Sequence, residues 1–242
     1  MGHRVTTLNV NTIEPAGNTL TIGASGDTVV LADDVKANTY KDAGGNTLFV
    51  SDGSGNLSSV NSGFGDSLKL LSTQTASNSA SISFTSGIDS TYKEYIFKFY
   101  NINPATDGAT FQFQVNATDG ADYNDSNITS TGFYAHHTEA DASSLAYEHD
   151  LDLAQSTSFQ PLVLSMGNGA DESYAGEMHL FNPSSTTYVK NFISTGNVYA
   201  MTDYTQNTFV TGYINDTTAV DDIQFKMSSG NFDGTIKMYG VA

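Results

Sequence analysis

A group of imidazole and carboxylate side chains in the middle of the chain has the types that bind zinc, iron or manganese. Its members are His136, His137, Glu139, Asp141, Glu148 and His149. Their spacing matches neither the His-Glu-x-x-His pattern nor another recognised ligand pattern. We therefore interpret the segment as a polar loop and predict no metal there.

Two acidic segments raise calcium as an alternative, because Ca²⁺ takes six to eight oxygen ligands from carboxylates and carbonyls. They span residues 119–125 and 216–222. The first resembles an EF-hand loop only loosely, since it lacks the bidentate Glu at the twelfth position. Turns closed by Asp and Asn side chains explain both segments equally well, so no metal is predicted and calcium occupancy stays open.

Nothing in the chain matches a recognised catalytic arrangement. There is no cysteine, which excludes thiolate nucleophiles, disulfides and iron–sulfur clusters. No Gly-x-Ser-x-Gly elbow is present, and the Gly-x-Gly at 53–55 is followed by neither a helix pattern nor a lysine. We predict a non-enzymatic protein without a cofactor.

The remaining candidates for ligand contact are aromatic. Tyrosines near loops combine an apolar ring with a polar tip, which suits stacking on sugars and hydrogen bonding to hydroxyls. The candidate glycan or receptor contacts are Tyr134, His136, His137, Tyr199 and Tyr204. For any one tyrosine, a place in the core or in a strand pair is the competing interpretation.

The charge balance excludes other partners. Asp and Glu number 26 against 9 Lys and Arg, giving a net charge of -17. Nucleic-acid binding needs a cationic face that releases phosphate counterions, and an anionic membrane surface attracts basic segments. We expect neither partner. No apolar run approaches the roughly 18 residues of a membrane span, and the first residues lack the apolar stretch of a signal peptide.

The elements that position these residues are strands. Several runs alternate between apolar and polar residues, which is typical of antiparallel sheets with one buried face. The clearest are residues 81–85, 95–100, 110–115, 223–227 and 235–239. The predicted core consists of Ile82, Phe84, Ile96, Phe97, Phe99, Phe111, Phe113, Phe225 and Tyr239.

The composition changes near residue 65. Of the 13 Tyr and 14 Phe, only Tyr40, Phe49 and Phe64 precede residue 66. Large side chains supply most of a core, so residues 66–242 are predicted to form an antiparallel, jelly-roll-like β-sandwich. Residues 1–65 are predicted to form an extended β arm or short trimeric stem, and the whole chain is all-β.

Residues 1–65 contain short β-type pieces and a weak repeat, Gly-Asn-Thr-Leu at 17–20 and 45–48. Such pieces cannot bury much surface alone. Trimerisation around a shared core, or docking on another protein of a large assembly, would order them. The apolar residues expected to attach this arm to its partner are Val5, Leu8, Val10 and Ile13.

Several stretches resemble the C-terminal domain of phage tail-fibre and related virion proteins, especially those of marine phages. They are residues 70–77, 81–88 and 92–99, with the ending at 225–230 and 234–241. Ile13-Glu14-Pro15 and residues 20–23 and 26–29 are similar to the repeat-like stem segments of the same proteins. The resemblance implies a trimer with an N-terminal attachment arm and a distal β-sandwich, and it implies no catalytic residues.

These observations lead to one functional hypothesis and two alternatives. We expect a bacteriophage virion protein, a short trimeric appendage active in host attachment that contacts other virion proteins through its arm and a host surface glycan through its sandwich. A chain of 242 residues is short for a long fibre. The alternatives are a head decoration or tail adaptor without receptor binding, and a secreted glycan-binding lectin.

Overall fold

The computed structural model describes residues 39–42, 44–60, 67–117 and 122–242. The chain divides between Phe64 and Gly65 into two units. The candidate attachment residues Val5, Leu8, Val10 and Ile13 lie outside the described residues, as does the start of the first candidate calcium segment, residues 119–121. No helix in the described ranges is both long enough and apolar enough to span a membrane.

The described part of the first unit is a three-stranded antiparallel meander. Its strands are β1 (Thr39–Lys41), β2 (Thr47–Ser51) and β3 (Leu57–Val60). Both connecting turns are closed in the same way: the Asn46 side-chain amide donates to Asp42 Oδ2 at 3.0 Å, and that of Asn56 donates to Asp52 Oδ2 at 2.9 Å. The repeated Asp-x-x-x-Asn spacing therefore sets both turns by the hydrogen bonds that Asx residues make locally.

The second unit contains twelve strands in antiparallel pairs. They are β4 (Leu68–Ser79), β5 (Ser81–Phe84), β6 (Glu94–Pro104), β7 (Ala109–Ala117), β8 (Ile128–Thr138), β9 (Ser143–Tyr147), β10 (Gln160–Met166), β11 (Tyr174–Phe181), β12 (Lys190–Ala200), β13 (Tyr204–Ile214), β14 (Val220–Met227) and β15 (Phe232–Val241). One 3₁₀ turn, His149–Leu151, follows β9. The prediction of an all-β chain with an antiparallel sandwich is confirmed.

The strands form two layers of unequal width. Eight strands run in the order β4-β15-β6-β11-β12-β13-β8-β9, and four run in the order β10-β7-β14-β5. The layers join where Met166 pairs with Ala200, and where the chain passes from β4 directly into β5. A wide sheet over a narrow one leaves part of the wide sheet without a second layer.

Aromatic side chains fill the space between the layers. The ring of Phe225 on β14 lies 5.3 Å from the rings of both Phe97 and Phe99 on β6. Phe113 on β7 meets Phe192 on β12 edge to face at 5.1 Å. Edge-to-face pairs at these distances add to the stabilisation from apolar burial, so the two layers are held together by a continuous aromatic core.

Seven of the nine predicted core residues belong to this core, and the exceptions are Ile96 and Tyr239. These two pair with each other across β6 and β15 on the outer face, where Ile96 is buried and Tyr239 is half-buried. The prediction was wrong for Tyr239 because alternation fixes which residues share a face and not which face is inside. Ile236 and Met238 point inward on β15 instead.

Candidate functional site

The five candidate contact residues lie at one end of the β8–β13–β12 ladder, divided between its two faces. Tyr204 and Gln206 on β13 pair with Ala200 and Val198, whose side chains point into the sandwich. His136 pairs with Gln206 and Tyr134 with Thr208, so Tyr134, His136 and Tyr204 share this inner face. His137 pairs with Thr205 on the outer face, which Tyr199 shares. The structure thus brings Tyr134, His136 and Tyr204 together at one cavity, and Tyr204 also lines a second cavity with His137 and Tyr199.

The interpretation of His136 and His137 as part of a polar loop was wrong, because both lie within β8. Tyr134 is likewise in mid-strand, whereas Tyr199 and Tyr204 flank the 201–203 turn. Neighbouring residues of a strand point to opposite faces, so the two imidazoles cannot bind one ion. In the described ranges no three His, Asp or Glu side chains come close enough to ligate a metal.

The inner-face residues line an open cavity of about 310 Å³ between the β8–β13 ladder and β10. The rings of Tyr134 and His136 are nearly parallel, with centroids 5.4 Å apart and an interplanar angle of 9°. The Tyr204 ring lies 5.3 Å from that of His136 and is tilted by 50°. The three rings therefore form a continuous aromatic wall, which we call the inner aromatic cleft together with its polar lining, Thr138, Glu148, Ser165, Thr202 and Gln206.

A close approach of two backbones fixes Glu148 at the cleft. The Glu148 amide donates to the carbonyl of Gly132 at 3.1 Å, and the fully buried Leu151 lies against the same glycine. A Cβ on Gly132 would lie only 2.8 Å from the Leu151 Cβ. Glu148 Oε1 accepts a hydrogen bond from the Asp150 amide at 3.3 Å, which leaves its other carboxylate oxygen available for a ligand.

Two more polar groups of the cleft are oriented. Gln206 is almost fully buried, and its side-chain amide donates to Thr208 Oγ1 at 3.3 Å. Burial raises the pKa of Tyr204, and the neighbouring Tyr134 and Glu148 raise it further. Its phenol therefore stays protonated at neutral pH and offers a hydroxyl donor.

Strand β10 supplies the opposite wall through an irregular backbone. Ser165 adopts a left-handed conformation with φ 55°, which is uncommon for a residue other than glycine. Its carbonyl accepts from the Met201 amide at 3.1 Å, tying β10 to the 201–203 turn. The strand departs from regular register between Val163 and Met166, so Leu164 and Ser165 both face the cleft.

The outer-face residues line a second cavity, of about 400 Å³, with an acidic rim. His137 Nε2 lies 3.3 Å from Asp141 Oδ1, and the Tyr199 hydroxyl donates to Asp203 Oδ1 at 3.3 Å. Asp203 and then Glu139 raise the pKa of Tyr199 by their negative charge. Both ring residues are therefore already engaged with carboxylates, unlike the rings of the inner aromatic cleft.

Sequence reasoning missed most of the polar lining. Glu148 was noticed only as part of a metal pattern, and Thr202, Ser165 and Gln206 were not singled out. Tyr204, Gln206 and Thr208 occupy every second position of β13, and this spacing could have predicted that Gln206 shares the face of Tyr204. No sequence pattern predicts the left-handed backbone conformation of Ser165.

The fold and the cleft define an antiparallel β-sandwich protein with a cleft lined by polar and aromatic side chains. No protein-family model matches the chain, and no curated protein or solved structure matches it significantly.

Proposed function

We propose that the protein is a host-attachment component of a bacteriophage particle and that its sandwich binds a host surface glycan in the inner aromatic cleft. One observation carries the binding proposal: Tyr134, His136 and Tyr204 form a ring wall facing oriented hydrogen-bonding groups. The resemblance to tail-fibre proteins supports the particle assignment.

The chemistry of the cleft fits a sugar. A pyranose ring has apolar C–H faces that pack on aromatic rings and hydroxyls around its edge that need partners. The rings of Tyr134 and His136 offer such a face, while Glu148 and Gln206 offer acceptors and a donor at its edge. A cleft of about 310 Å³ accommodates one or two sugar units.

The charge of the cleft selects against anionic glycans. None of the lining residues that the structure describes is Lys or Arg, and Glu148 is an acid. The chain as a whole carries a net charge of -17. A sulfated or carboxylated sugar would meet only negative potential, so the expected ligand is neutral.

Attachment through such a small site requires several copies. A shallow cleft gives weak binding, and display of three or more linked sites raises avidity by roughly 10² to 10⁴ without new contacts. We propose a trimer held on the particle by residues 1–65. Multi-angle light scattering of the full chain tests the copy number: a mass near three chains supports the trimer, and a monomer contradicts it.

The glycan proposal is tested by screening the full chain on an array of neutral and anionic glycans, followed by calorimetric titration of the best ligand. The variants Tyr134→Ala and His136→Ala each remove one ring of the wall and are expected to weaken binding by roughly five- to tenfold, about 1 kcal/mol or more. The control is Tyr188→Ala, since Tyr188 is 70% exposed and lies outside the cleft.

Each outcome bears on the proposal. Binding of a neutral glycan that both ring variants weaken and the Tyr188 variant leaves unchanged supports it. Binding that is insensitive to the ring variants, or binding of anionic glycans only, refutes the cleft as the site. Absence of binding across the array refutes the glycan proposal and favours a head decoration or tail adaptor.

A further inference from the structure

The outer face of the eight-stranded sheet changes character between its two halves. On β6 and β11 the outward positions carry charge: Lys98 Nζ lies 3.4 Å from Glu177 Oε2, and His179 Nδ1 lies 2.6 Å from Glu94 Oε1. On β12, β13, β8 and β9 none of the outward positions is Asp, Glu, Lys or Arg. The four strands without charge are adjacent, so their outward side chains form one surface without charges of its own, bordered by the carboxylates of Asp141, Asp152 and Asp203.

Large apolar side chains occupy the middle of that surface. Phe133 and Phe209 pair directly across β8 and β13 and stack at 5.0 Å with an interplanar angle of 15°. Tyr147 on β9 pairs with Phe133 on the next strand, and Leu145 and Ile193 flank the row. These five residues, which we call the outer aromatic face, are between 41% and 72% exposed.

We propose that the outer aromatic face is the surface through which two copies of this chain associate. Isolated apolar residues on a surface are ordinary, but a contiguous aromatic patch marks an interaction site. The area of the face, given below, is what a pair of copies needs, and charge decides which face they share. Two copies with a net charge of -17 each repel one another, and an uncharged face is where they can meet with the least repulsion.

The size of the surface agrees with this occupant. Three strands of eleven residues and one of five, spaced by about 4.8 Å with a rise of about 3.4 Å per residue, cover about 600 Å². Two such faces bury about 1,200 Å², the lower end of the range for specific protein interfaces. The expected association is therefore weak to moderate, and sheets packed face to face lie about 10 Å apart.

Two-fold packing concentrates the effect of each substitution. In an isologous contact every residue is used twice, once from each copy. Replacing Phe133 and Phe209 together thus removes four rings from the interface, and threonine keeps the strand preference of both positions. We expect the variant Phe133→Thr/Phe209→Thr to weaken self-association at least about 30-fold.

The test is sedimentation velocity of the full chain between about 1 and 100 µM. The matched control is Tyr100→Thr/Tyr239→Thr, which removes two outward aromatic rings from the charged half of the same sheet. Concentration-dependent association that the Phe variant abolishes and the Tyr control retains supports the proposal. Hydrogen exchange at the β9 amides should slow as the concentration rises in the wild type and in the Tyr control, and not in the Phe variant.

Three results would overturn the proposal. The first is a wild-type chain whose mass does not rise with concentration in this range, whether it is a monomer or the trimer proposed above. The second is concentration-dependent pairing, of single chains or of the trimers proposed above, that survives the Phe substitutions, because copies would then be paired elsewhere. The third is a Phe133→Thr/Phe209→Thr variant that keeps the oligomeric mass of the wild type and loses glycan binding, since the outer aromatic face would then be the glycan-binding site. Glycan titration and sedimentation are separate readouts, so the inner aromatic cleft can stand or fall independently.

Discussion

Gly196 in the middle of β12 is a position where one added methyl group should disturb the core. The fully buried Tyr174 ring lies flat over it, so that a Cβ there would come within 2.5 Å of Tyr174 Cε2 and within 2.6 Å of Cζ. The ring cannot retreat easily, because Phe99 and Phe111 pack against it with centroids 5.9 and 6.0 Å away. Overpacking of this kind costs about 1–3 kcal/mol.

A second effect acts in the opposite direction. Replacing glycine by alanine restricts the unfolded chain and stabilises the folded state by about 0.4–1 kcal/mol. The expected net loss of unfolding free energy for Gly196→Ala is therefore about 1 kcal/mol, with the overpacking cost of about 2 kcal/mol partly offset. Equilibrium unfolding in urea, followed by far-ultraviolet circular dichroism and tyrosine fluorescence, measures this difference.

A double-mutant cycle isolates the contact with the ring. Tyr174→Leu shortens the side chain so that it no longer covers Gly196, and in that background Gly196→Ala is expected to be neutral or slightly stabilising. The coupling energy is then about 2 kcal/mol. Asn191→Ala, at an exposed position of the same strand, serves as the control and should stay within about 0.5 kcal/mol of wild type. An equal cost of Gly196→Ala in both backgrounds would refute the reasoning.

Three further substitutions test other parts of the sandwich in the same unfolding assay. Phe225→Ala should cost about 3–5 kcal/mol, because its ring contacts rings from both layers; a loss below about 1 kcal/mol would contradict its central place. Burial lowers the pKa of Lys190 below its ordinary 10.5, so at pH values between the lowered pKa and 10.5 the folded state binds fewer protons than the unfolded chain. In this pH range the unfolding free energy of the wild type, measured relative to Lys190→Met, should rise with pH. A flat or falling difference would contradict this. Hydrogen bonds from Thr91, and then from Tyr95, lower the pKa of Asp89 below 3.8. Their contribution to the unfolding free energy is therefore present above pH 3.8 and lost as the pH falls through the lowered pKa. Asp89→Asn should remove this loss of stability in acid, and an unchanged loss would contradict the assignment.

Alternation in the sequence was enough to locate the strands with apolar inner positions. Phe111, Phe113 and Val115 on β7 alternate with polar residues and are all buried, and the same holds for Ile223, Phe225 and Met227 on β14. In these strands the buried positions hold large apolar side chains, so the hydrophobic pattern predicts the strands correctly.

The strands that carry the inner aromatic cleft gave no such signal. The inward positions of β13 and of the adjoining strand β12 include Ser194, Gly196, Gln206 and Thr208, which are buried and yet small or polar. On β8, the inward positions Ser130 and Thr138 are polar as well. Tyr174 explains the glycine, because its ring occupies the space that a side chain would fill. Burial without hydrophobic side chains leaves no periodicity to detect, so His136 and His137 looked like a loop.

The unequal width of the two layers connects the inner aromatic cleft with the outer aromatic face. Four strands cannot cover eight, so the β13–β8–β9 end of the wide sheet extends past the narrow layer. On its inner side β10 and the 3₁₀ turn approach it, and Tyr134, His136 and Tyr204 are half-buried at the cleft and not sealed in the core. On its outer side the same strands present Phe133 and Phe209. The β13–β8–β9 end of the wide sheet thus has a polar and aromatic cleft on one side and an apolar surface on the other. Two copies joined through their outer aromatic faces would carry their clefts on opposite, outward sides, so both clefts would be open to ligand at the same time.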